Sequence, residues 1–88
     1  MTIKKSDLIA TVKRLNDITG NPQTPWKQVD GRYVANIGNY HLSEAYGGYE
    51  LCQMVNEGGG VNDTLRSGHV PKRELYNLMH AYIRGLEV

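Results

Sequence analysis

The residues in this chain best suited to chemistry are one cysteine and three histidines: Cys52, His41, His69 and His80. A cysteine nucleophile needs an imidazole in contact with its sulfur and an acid that orients the base. On a hairpin turning at Gly47-Gly48, His41 pairs with Met54 and lies diagonal to Cys52. Diagonal neighbours sit about 7–8 Å apart at their Cα atoms, too far for that contact, and Glu50 is in the wrong register to orient the histidine. No CxxC, HxxxH or HExxH spacing occurs, and a structural zinc site takes four ligands. The expectation is no catalytic residue, no metal and no cofactor.

Gly58-Gly59-Gly60 invites comparison with phosphate-binding loops. Those end in Gly-Lys-Ser/Thr and open a helix, whereas Val61-Asn62-Asp63 follows here. The glycines read as a sharply bent strand exit, where backbone freedom is what matters. Lys72 and Arg73 open a helix, with Arg66 and His69 just upstream. A cationic corner at a helix N-terminus attracts anions, so Arg66, His69, Lys72 and Arg73 are the candidates for phosphate or nucleic-acid contact. Tyr40, Tyr46 and Tyr49 resemble base-stacking platforms, but a short chain needs such side chains in its core.

The elements that position these residues follow from periodicity. Ser6 can cap a helix starting at Asp7, with Leu8, Val12, Leu15 and Ile18 or Thr19 at helical spacing and Ile9 beside them. Gly20 and Asn21-Pro22 end it. Asp30-Gly31, Gly38-Asn39 and Gly47-Gly48 are dipeptides favoured in two-residue hairpin loops. Together they predict a four-stranded antiparallel meander. One face carries Trp26, Tyr33, Ala35, Ile37, Tyr40, Leu42, Tyr46, Tyr49, Leu51 and Val55. Pro71 starts a second helix whose apolar stripe is Leu75, Leu78, Met79, Tyr82, Ile83 and Leu86. Residues 57–70 lack periodicity. The expected fold is one α+β domain spanning residues 1–88, a two-layer arrangement of helix, meander and helix with both helices on the tyrosine-rich face. That leaves Val34, His41, Cys52 and Met54 on an uncovered face, which with Tyr46 and Tyr49 at the hairpin tip makes an interface for a protein partner or a second copy of the chain.

Composition narrows the function. Ten Lys+Arg against nine Asp+Glu leave a formal net charge of +1, which argues against a strongly basic nucleic-acid binder. A lone cysteine forms no intrachain disulfide. No apolar run reaches the roughly 18 residues of a membrane span, and the N-terminus lacks a signal-peptide pattern. A cytoplasmic protein without membrane contact is expected.

The run GNYHLSEAYGGYELCQMVNEGGGV, followed by KRELYNLMHAYIRGLE, resembles small hypothetical proteins of bacteriophages and prophages, and the upstream NDITGNPQTPW is similar as well. The resemblance covers most of the chain. It implies a phage-derived protein acting inside a bacterial host cell, and it carries no catalytic residues with it. The expected role is that of a non-enzymatic binding protein that modulates a host protein or complex, for example as a host-defence inhibitor. The alternative is an accessory of phage DNA metabolism that binds nucleic acid through the basic corner.

Overall fold

The computed structural model describes residues 2–87. The first helix, α1, spans Lys5–Thr19. It begins two residues earlier than Ser6 capping implies. The Asp7 carboxylate accepts the Lys4 backbone N–H at 2.8 Å, so the acid at the third helical position ties down the entry. Leu8, Val12 and Leu15 are buried, with Thr11 and Asn16, while Ile9 and Ile18 stay outside the stripe and are exposed. Gly20 ends the helix at φ 72°, and Asn21 N–H closes back on Asn16 O at 2.9 Å. The second helix, α2, spans Lys72–Leu86 after Pro71 and buries Leu75, Met79 and Ile83.

Five short strands lie between the helices: β1 Trp26–Val29, β2 Arg32–Ala35, β3 Tyr40–Ala45, β4 Gly48–Met54 and β5 Val61–Asp63. They do not form the four-stranded meander. β1 and β2 make a separate two-stranded sheet, and β3, β4 and β5 make a three-stranded sheet in that order. The β1–β2 hairpin has the expected register, Trp26 opposite Ala35 and Val29 opposite Arg32. The break falls at Gly38-Asn39. The pairing expected there needs the outer edge of β3, and α1 already takes its first position, Tyr40. Buried Asn16 donates from Nδ2 to Tyr40 O at 3.0 Å and accepts Tyr40 N–H on Oδ1 at 2.8 Å. Gly38 N–H instead bonds Met54 O at 2.8 Å.

The β3–β4 hairpin turns at Tyr46-Gly47, one residue before the expected loop, with φ values of 54° and 74°. Gly48 explains the shift. A Cβ there would lie 3.0 Å from the His69 carbonyl carbon and the Val70 nitrogen. That glycine is therefore needed inside the strand, and Tyr46 takes the left-handed turn position. Moving the loop by one residue moves each partner by two, so Leu42 faces Leu51 rather than Gln53. A shift of two preserves which residues share a face.

The connection after β4 is ordered by side chains. Asn56 Oδ1 accepts the N–H groups of Gly58 and Gly60 at 3.0 and 2.9 Å, and Gly59, at φ 93°, lets the Trp26 ring lie against the turn. The chain then pairs as β5, and a bridge joins Val70 to Tyr49. α1 rests on β3, α2 on β4, and the helices touch each other. Tyr40, Tyr49 and Leu51 join Leu8, Leu15, Leu75, Met79 and Ile83 in the core. Each large aliphatic buried this way contributes about 1.5–3 kcal/mol.

Candidate functional site

β3 is an edge strand. In an antiparallel pair, alternate residues aim their backbone groups at the partner and away from it. Asn39 O accepts Met54 N–H, so Asn39, His41 and Ser43 face β4, while Tyr40, Leu42 and Glu44 face outward. Asn16 consumes both groups of Tyr40. Beside the remaining edge lies an open groove of about 380 Å³ between α1 and β3. Ile9, Val12, Tyr40 and Leu42 line it with apolar surface, and Lys5 and Lys13 stand on its lip. Ile9 is 54% exposed, an isoleucine on a helix with nothing of this chain covering most of it. Lys5 Nζ meets Glu44 Oε1 at 3.1 Å across the groove's end. The Tyr49 hydroxyl, and then Lys5, hold the Glu44 carboxyl below its usual value.

The opposite face of the sheet carries a row of side chains across β3, β4 and the chain that runs beside β4. Ser43 and Glu50 are direct cross-strand partners, and His69 reaches over from the chain beside β4. Ser43 Oγ and His69 Nε2 are 3.0 Å apart, and His69 Nδ1 lies 3.8 Å from Glu50 Oε2. Serine, histidine and acid in this order form an acyl-transfer relay when the base is hydrogen-bonded on both sides. Here the second distance exceeds hydrogen-bonding range. The other Glu50 oxygen accepts the Cys52 thiol at 3.0 Å. Ser43 stands in mid-strand rather than on the sharp turn that presents a nucleophile. The row works as a clasp that fastens residues 69–70 to β3 and β4.

Of the expected interface residues, Cys52, Met54 and Tyr49 are 2%, 3% and 8% exposed, Tyr49 within the core beneath the helices, so these three present little surface. Burial, reinforced by the Glu50 hydrogen bond, pushes the Cys52 thiol up to about 12. His41 faces Cys52 directly rather than diagonally. It bonds Asn39 Oδ1 through Nδ1 at 3.1 Å, and burial pushes its imidazole below the ordinary value. Val34 is half-buried on the separate hairpin. Tyr46 alone of this set is fully exposed, its ring edge set against His69 at a centroid distance of 6.2 Å.

Lys72 and Arg73 are exposed at the start of α2, and Arg66 is exposed in the turn before it. His69 leaves that corner, since its ring is turned onto Ser43 and Glu50. Among the described residues no group of three or more His, Cys, Asp or Glu gathers to hold a metal ion. No described helix is long and apolar enough to cross a membrane. Comparison with protein-family models, with curated proteins and with solved structures finds no match.

Ile9, Lys13 and Asn16 on α1, and Ser43 and Glu50 in the clasp, escape sequence reasoning. Ile9 had a legible signal: it stands off the Leu8–Val12–Leu15 stripe, where an apolar side chain has no core to enter. Asn16 had none, because a buried amide that caps a distant strand is a tertiary event.

Proposed function

We propose that this chain is a protein-binding protein without catalytic activity of its own, and that its partner docks on the groove between α1 and β3. One observation carries the reading: an apolar groove of about 380 Å³, floored by Val12 and Leu42 and walled by the half-open Ile9, runs beside an unpaired strand edge. Apolar surface left beside unpaired backbone is a feature that folded chains normally cover or blunt. A phage-encoded protein acting on a host protein or complex is the setting that the sequence resemblance implies. The β1–β2 hairpin, with Tyr33 74% exposed, is a second surface, and the hollow that Arg32, Tyr33, Val34, Glu57 and Gly58 line there is smaller, about 220 Å³.

The test is affinity capture from bacterial lysate with the native chain, with Ile9→Asp and with Tyr33→Ser, each checked for native circular dichroism. A partner retained by the native chain and by Tyr33→Ser, and weakened about tenfold or more by Ile9→Asp, supports the groove; tenfold corresponds to about 1.4 kcal/mol. Equal capture by Ile9→Asp removes the groove from the proposal.

A further inference from the structure

We infer that the groove takes an extended peptide segment with an apolar centre and acidic flanks, which adds to the three-stranded sheet as a new strand beside β3. This inference rests on the protein-binding reading and names the form of its partner. Leu42 and Glu44 present N–H and C=O groups outward, so the edge offers two donors and two acceptors in the spacing a strand reads. Asn16 acts as a stop. Its amide already fills the Tyr40 position of that edge at 2.8 and 3.0 Å, so an added strand pairs at Leu42 and Glu44 and goes no further toward Asn39. Its alternate side chains then fall toward Ile9, Val12 and Leu42 on the groove side.

A helix fits this site poorly, because its backbone groups are spent internally and leave the edge unpaired. Charge selects between the remaining occupants. Lys5 and Lys13 line the groove and no carboxylate is among its lining residues; Lys5 is bridged to Glu44 in an exposed pair. A second copy of the chain brings the same two lysines against them. An acidic segment neutralises Lys13 and can take Lys5 from Glu44, and surface pairs of this kind exchange at little cost.

The test uses the full chain and two short synthetic peptides with a Val-Ile-Val centre, one flanked by aspartates and glutamates and one by lysines. Residue-resolved amide exchange is the readout. In the free protein the Leu42 and Glu44 amides exchange fast beside protected His41 and Ser43. The acidic peptide slows both about tenfold or more, the basic peptide does not, and Lys13→Glu reverses the preference. Slowing by both peptides alike overturns the acidic partner. Shifts at Ile9 and Val12 without protection of Leu42 and Glu44 overturn strand addition and leave the groove reading standing. Protection that rises with protein concentration alone assigns the edge to a second copy and overturns the peptide.

Discussion

Asn16 and Cys52 show how little residue type says without its surroundings. An asparagine in mid-helix is an indifferent helix former, yet this one is 1% exposed and holds both backbone groups of Tyr40. Cys52 looks like the natural nucleophile of the chain, and its environment makes it inert. A thiolate is the reactive form, and burial together with the Glu50 contact drives the thiol up to about 12. Reaction with Ellman's reagent at pH 8 is therefore expected to be at least about 100-fold slower in the native protein than in urea, given a free thiol near 8.5. Labelling at similar rates in the two states would contradict the burial of the sulfur.

At the scale of elements, turn chemistry was readable and turn use was not. All three glycine dipeptides mark bends, and Asp30-Gly31 gives the β1–β2 register as expected. Gly48 is drawn into a strand because the backbone of His69 and Val70 passes 3.0 Å from where its Cβ would be. No local signal announces a neighbour that arrives from twenty residues away. The glycine run after β4 is likewise a turn bound by Asn56 rather than an anion cradle. Gly59→Ala is expected to cost about 1–3 kcal/mol, the usual strain of a side chain at positive φ, and to shift Trp26 fluorescence as the ring is displaced. Gly85→Ala, in α2 with nothing within 4 Å, is the control, expected to raise stability by up to about 1 kcal/mol. Chemical denaturation of both variants checks the pair. Equal effects would mean that Trp26 does not pack on the turn.

Across the whole molecule, two helices and a three-stranded sheet share one core, β1 and β2 form a separate sheet, and the extents are 45 × 33 × 22 Å. The radius of gyration is 13.2 Å, against about 12 Å for a compact chain of this length. One histidine makes a local bond and another joins the two helices. His41 bonds Asn39, two residues away and just before β3. His80 on α2 lies 3.5 Å from Thr11 Oγ1 on α1 and packs on Tyr76 at 4.2 Å. Burial lowers both imidazoles from 6.5, and Arg14 and Arg84 add to the shift at His80. A pKa lower in the folded state means that the unfolded chain binds the proton more readily. The contribution is thus full above about pH 6.5 and is lost as the pH falls through the lower folded values. The urea midpoint is expected to drop between pH 7 and pH 5, and His41→Asn with His80→Asn should flatten that drop. A midpoint that rises on acidification would assign the histidines a charged native form.

The sequence alone determined both helices, the bends, the β1–β2 register and the face of β3 and β4 that enters the core. These follow from spacing within a dozen residues, and a two-residue slip in pairing leaves faces unchanged. Tertiary structure decided the rest. Asn16 closes part of the β3 edge and splits the expected meander, β5 forms from a segment without periodicity, and His69 crosses the sheet to cover Cys52's face. Each of these depends on a partner far along the chain, through burial and hydrogen bonds that no local pattern encodes. The groove beside Ile9 exists because that same asparagine keeps β2 away from the edge.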